Sequence, residues 1–159
     1  MAVSSITLHE PNIYRYLNMT NCSYRNGTLL NHPTELVSAK GEALRVSNLY
    51  DTIININVIE HVQDALLYLS NIYEALKPGG LLIFHERWHN NPDYAKCKPN
   101  GDFYLHPIRI KDTVIQYFTS LFSKAMYQST APTPDMVHRV RDLCPGDTIE
   151  TAIYTALIK

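Results

Sequence analysis

The chain has 159 residues, of which 45% are apolar and 18% charged, and a formal net charge of −1. Such a chain suits a single globular domain, spanning 1–159, with a core of its own. The near-neutral balance offers no electrostatic footprint for nucleic acid or an anionic membrane, so neither is expected as a partner.

The first residues, MAVSSITLHEPNIYRY, lack a basic stretch followed by an apolar one, so no export leader is expected and the location reads as cytoplasmic. Ser4 to His9 forms a short β-leaning run that ends in Glu10-Pro11. Pro11 can open a helix through NIYRYLNM, because proline is tolerated in a first turn. Asn18 to Pro33 is rich in Asn, Ser, Thr and Gly, which predicts loop with one short strand near Thr28 to Leu30. Asn18, Asn21 and Asn26 each open a glycosylation triplet, read as chance matches without an export signal. Glu35 to Ala39 reads as a brief strand or turn, followed by Gly41-Glu42-Ala43-Leu44.

Asp51 to Asn57 is the clearest buried strand, with Ile53, Ile54 and Ile56 close together. Between Asp64 and Lys77, residues Ala65, Leu66, Leu69, Ile72, Tyr73 and Leu76 recur at helical spacing and predict one buried face. Lys77-Pro78-Gly79-Gly80 predicts the stop, with glycine in a left-handed cap. A buried strand follows at Leu81 to Phe84, and loop is expected from Arg87 to His106. Lys111 to Phe122 predicts a second amphipathic helix; Lys124 to Thr130 and Thr151 to Ile158 predict strands. No stretch reaches the roughly 18 apolar residues of a membrane helix. Cys22, Cys97 and Cys144 are odd in number and widely separated, against a disulfide framework or a zinc ribbon. The element order implies an α/β fold with a Rossmann-like, mostly parallel sheet and an antiparallel edge.

Three features from Tyr50 to Gly80 occur in continuous order: Tyr50-Asp51 opening a strand, Asn57-Val58-Ile59-Glu60-His61 as a turn, and Leu76-Lys77-Pro78-Gly79-Gly80. Together they resemble the back half of the class I S-adenosylmethionine-dependent methyltransferases that act on small molecules. Gly41-Glu42-Ala43-Leu44 is similar to that family's loop after strand three, and Glu10 to its acidic residue after strand two. The resemblance implies S-adenosylmethionine as cofactor, with Glu10 on the ribose hydroxyls, Glu42 and the Ala43 amide on the adenine edge, and Asn57 at the methionyl end. A carboxylate can accept two hydrogen bonds from a diol, and an acceptor beside a backbone N–H matches an adenine edge.

His61 is then the candidate general base, since histidine titrates near neutral pH. Glu86 and His106 are the candidate contacts to a small-molecule methyl acceptor. Tyr94, Phe103 and Tyr104 could form an aromatic lid in the loop between them. The plainer alternatives are a local helix-start role for Glu60-His61 and ordinary loop roles for the rest.

One departure from the family is large. Its first strand and G-x-G-x-G loop precede the acidic residue by about 20 residues, whereas only nine residues precede Glu10 and none is glycine. The sheet is therefore expected without its first strand and helix, and an exposed central edge implies pairing with another chain. A non-catalytic, partner-binding remnant is thus the second functional reading. A third rests on His85-Glu86-Arg87-Trp88-His89, which spells the H-E-x-x-H zinc signature. That motif needs a helix, and here it continues a strand into Asn90-Asn91-Pro92, so no metal is expected.

Overall fold

The computed structural model describes residues 3–88, 108, 110–132 and 151–159. Within it the chain divides into two compact units, Met1–Leu44 and Arg45–Lys159. His89, Tyr94, Phe103, Tyr104 and His106 lie outside the described residues, with most of the loop expected over 87–106.

The first unit is a small three-stranded sheet in the order β1-β3-β2. Strand β1 (Ile6–His9) runs parallel to β3 (His32–Val37), pairing Ile6 with Thr34 through to His9 with Val37. Strand β2 (Thr28–Leu29) is antiparallel to β3. The two are joined through Leu30 and Asn31 at φ of 52° and 65°. Two successive positive φ values are what a tight hairpin turn with the strands' own twist requires. Helix α1 (Ile13–Leu17) follows Pro11 as expected, and the Glu10 carboxylate accepts from the Asn12 amide at 2.8 Å just before it.

The second unit carries a four-stranded sheet in the order β4-β5-β7-β6. Strands β4 (Tyr50–Ile56) and β5 (Leu76–Trp88) are parallel. Strand β7 (Thr151–Ile158) runs antiparallel to both β5 and β6 (Lys124–Pro132). Parallel strands need a crossover, and helix α2 (Ala65–Ala75) supplies it. Asp64 caps that helix by accepting from the Leu67 amide at 2.9 Å. Ala65, Tyr68, Leu69, Ile72 and Ala75 form its buried face, while Leu66, expected with them, is 66% exposed.

The helix ends earlier than its apolar spacing suggests. Pro78 disfavours helical geometry at the residue before it, and Leu76 is already extended, so β5 begins there. The glycines work inside the strand instead of capping the helix. Register passes from Tyr50–Leu76 to Thr52–Leu81, so the Lys77–Gly80 stretch bulges out with Gly79 at φ 74°. A side chain on Gly80 would come within 2.8 Å of the Lys77 carbonyl oxygen. The α2 carbonyls find their partner elsewhere: Lys159 Nζ donates to the Tyr73 and Leu76 oxygens at 2.7 and 2.8 Å.

Helix α3 (Asp112–Ser120) matches the expected second amphipathic helix. It buries Ile115 and Phe118 in a core shared with α2 and one face of the sheet. Phe118 lies 5.3 Å from both Phe84 and Phe122, ring centre to ring centre. Every second residue along a strand shares a face. Asn55, Leu82, Phe84, Glu86, Ile153, Thr155 and Leu157 are all buried. The other face carries Ile54 at 64% exposure, Ile56 at 56%, Ile83 and Tyr154. The expectation of a buried strand at β4 is therefore corrected at Ile54 and Ile56, because α2 and α3 pack against the other face.

Candidate functional site

The carboxyl ends of β4 and β5 converge on the turn that follows β4. Asn57 leaves the strand at φ 56°, a left-handed conformation that Asn tolerates better than most residues. Its amide donates to the His85 carbonyl at 2.8 Å, so the ladder with β5 extends one residue further. A short 3-10 turn, Ile59–His61, then brings Glu60 and His61 back over the strand ends.

Glu86 fastens this turn. It is 1% exposed, and its Oε1 accepts from Asn55 Nδ2 at 2.7 Å, the Val58 amide at 2.7 Å and the Ile59 amide at 3.1 Å. Tyr68 of α2 completes the chain by donating its hydroxyl to Asn55 Oδ1. Burial pushes the Glu86 carboxyl above the usual carboxylate range, the three donors oppose that rise, and the Glu60 charge adds to it. Glu86 was expected to face a methyl acceptor. The alternation of β5 turns it to the helix-covered side, and its geometry there is that of a buried tie between strand, turn and helix.

The polar residues around the turn form a second, more open group. Arg87 donates from Nε to Asn57 Oδ1 at 2.8 Å and its Nη2 lies 3.4 Å from Glu60 Oε1. His61 Nε2 lies 3.7 Å from the same oxygen, with the His61 side chain 47% exposed and that of Glu60 9%. Across the sheet from Glu86, the His85 ring stacks on Tyr154 with centres 4.2 Å apart. Burial holds the His85 imidazole below its ordinary value; the Arg87 charge lowers it further, and Glu60 opposes. The ensemble can bind polar ligand groups, take up a proton on a neutral imidazole, and balance charge through Glu60 and Arg87.

In the first unit, Glu10 borders a cleft of about 250 Å³ lined by Leu8, His9, Ile13, Tyr16 and Tyr24. One carboxylate among apolar and aromatic walls fits a nucleoside, with acceptor oxygens for a diol and flat surfaces for a base. Gly41–Ala43 forms a 3-10 turn with Glu42 in its first turn. The Ala43 amide, expected to meet an adenine edge, donates instead to the Lys40 oxygen at 2.9 Å, because such a turn closes on its own carbonyls.

Of the residues expected from sequence, Asn57, His61 and Glu86 are brought together at one turn, while Glu10, Glu42 and Ala43 lie in the other unit. Asn55 and Glu60 belong to the crowded end of β4, whereas Arg87 was not expected to contribute. The pairing of Asn55 and Glu86 follows from their shared face once β4 and β5 are parallel. The zinc reading is corrected. His85 and Glu86 are neighbours on a strand and point to opposite faces, so Glu86 cannot stand beside a metal held by His85 as that reading requires. Among the described residues no group of three metal-ligating side chains occurs.

Residues 8–128 match the family model described as a methyltransferase domain, a match that crosses both units. A ubiquinone biosynthesis O-methyltransferase of Cereibacter sphaeroides is 43% identical over 60 residues, 38% of this chain and 20% of that protein. Its counterpart in Ruegeria pomeroyi is 44% identical over 46 residues, 29% of this chain and 18% of the other. The matched segment thus spans about a fifth of these relatives' length. Among solved structures, an arsenic(III) S-adenosylmethionine methyltransferase from Chlamydomonas reinhardtii aligns over 99% of this chain and 55% of its own. That pair has a TM-score of 0.64 at 14% identity. The N-methyltransferase NodS from Bradyrhizobium japonicum, solved with S-adenosylhomocysteine, aligns over 99% and 79% with a TM-score of 0.56 at 13% identity. These likenesses establish a Rossmann-like α/β fold with parallel and antiparallel strands.

Proposed function

This chain belongs to the methyltransferase-domain family, and from that premise we propose that it binds S-adenosylmethionine and methylates an oxygen of a small molecule. The observation that carries the reading is the family match over residues 8–128, and the oxygen acceptor follows the O-methyltransferase names of the curated relatives. When bound, the cofactor supplies an electrophilic methyl group on a sulfonium.

Glu10 takes the ribose hydroxyls at the edge of its cleft, and Glu42 the adenine. Asn57 lines the methionyl end from a backbone already fixed by its bond to His85 and a side chain fixed by Arg87. Orientation of this kind is the main contribution a protein makes to such a transfer. His61, half-exposed beside Glu60, passes the acceptor's proton on to water. Among the described residues β4 pairs with β5 alone, and exposed Ile54 and Ile56 lie next to its open edge. That edge takes a strand from another polypeptide chain, since an unpaired row of backbone groups is a template for pairing.

Thermal unfolding with S-adenosylhomocysteine tests the cofactor assignment. A ligand at one hundred times its Kd adds about 2.7 kcal/mol of stability, and the melting temperature rises accordingly. Glu10→Ala should abolish that rise. A melting temperature unmoved by millimolar ligand contradicts the reading.

A further inference from the structure

The two edges of the four-stranded sheet are finished differently. Among the described residues β6 pairs with β7 alone and forms one edge, and β4 forms the other. The β6 edge begins at Lys124, bulges between Ala125 and Tyr127, and ends at Pro132. A lysine, a bulge and a proline are means by which proteins stop an edge from pairing. From Thr52 to Ile56, β4 has no charge, no proline and no break in its register. The Asn57 amide donates to β5, so by alternation the backbone groups of Thr52, Ile54 and Ile56 point away from β5 along the open edge.

We propose that this edge pairs with the same edge of a second copy, antiparallel and centred on Ile53, to make one continuous sheet across a two-fold axis. The proposal rests on the reading that the β4 edge takes a strand from another chain, and it names that chain. Such pairing sets Thr52 of each copy opposite Ile54 of the other, with their outward N–H and C=O groups facing one another. Tyr50 falls opposite Ile56 on the same face, an aromatic and β-branched pair of the kind that stabilises sheets. Charge selects the orientation. The one ionised side chain of β4 is Asp51, matched within its own chain by Lys77 at 2.9 Å. Antiparallel pairing about Ile53 places Asp51 opposite the neutral Asn55 of the other copy. A parallel copy in register would set Asp51 against Asp51, and like charges directly opposite are destabilising. A two-fold pair uses the same patch twice and closes, so assembly stops at the dimer. The 7 residues of β4 on each side fall well short of the roughly 20–30 of a standard interface, so the dimer is weak and exchanges with monomer.

Sedimentation velocity of the full chain from about 1 μM to about 1 mM tests this. The mass should rise with concentration from that of one chain to that of two. Ile54→Lys puts like charges on diagonal neighbours across the axis and should raise the dissociation constant at least about tenfold. Ile54→Pro removes an outward N–H and should do the same, whereas Met126→Lys on the β6 edge should leave the association unchanged. Melting at the lowest concentration shows that each variant is folded. Ile53→Cys, in a chain that also carries Cys22→Ser, Cys97→Ser and Cys144→Ser, should oxidise to a linked dimer. Opposed Cα atoms about 4.5 Å apart lie within disulfide reach. A dimer that survives both Ile54 substitutions, or that does not cross-link through Ile53→Cys, overturns the proposal. So does a chain that stays monomeric throughout, and amide exchange at Thr52, Ile54 and Ile56 then separates the causes. Rapid exchange in that monomer leaves the edge to a different polypeptide and counts against self-pairing alone. Protected amides in that monomer count against the open edge itself.

Discussion

The two faces of the four-stranded sheet are built to different standards. On the side packed by α2 and α3, even the polar residues are settled: Glu86 takes three donors on one oxygen, and Asn55 and Tyr68 continue the chain. On the other side Ile54 and Ile56 are exposed, and among the described residues the His85 nitrogens have no hydrogen-bond partner. The first face spends its polar groups on holding the turn after β4, and the second carries an imidazole whose pKa burial lowers. A fold can thus carry chemistry on residues next to each other in sequence, because strand parity sends Glu86 and His85 to opposite environments.

If this contrast is right, substitutions on the two faces separate sharply. Phe84→Ala removes a ring that is 1% exposed and packs on Phe118, and should cost about 3–5 kcal/mol by denaturant unfolding. Glu86→Ala strands two backbone amides and the Asn55 amide, and should cost about 2–4 kcal/mol. Asp64→Ala removes the cap of α2 for about 1 kcal/mol. Ile56→Thr, on the open face, should stay within about 0.5 kcal/mol. A loss at Ile56 as large as that at Phe84 would mean that the open face is covered.

Stability against pH sharpens the same contrast, since the two faces titrate with opposite sign. Glu86 is raised, so its contribution is fully present below the ordinary carboxylate value and is lost as pH climbs through the raised one. His85 is lowered, so its contribution is complete above about 6.5 and is lost as pH falls from there toward the lowered value. Glu86→Gln should flatten the first slope and His85→Gln the second, as read from unfolding midpoints across pH 4 to 9.

Much of the fold was legible in the sequence because its signals are local. Helical spacing and the Asp64 cap marked α2, and β-branched runs marked β4. What escaped was non-local. The exposure of Ile54 and Ile56 depends on which sheet face the helices cover. The extended start of β5 at Leu76 depends on pairing with Tyr50 across the bulge. At the site, the residue types of Asn57 and His61 were legible, but the inward turn of Glu86 and the engagement of the Ala43 amide depend on hydrogen bonds that no spacing encodes.

The central claim is that this family member binds the cofactor, and calorimetric titration of the chain with S-adenosylhomocysteine tests it most directly. The account predicts saturable heat at one ligand per chain, lost in Glu10→Ala. A folded protein that gives no heat at millimolar ligand would contradict it.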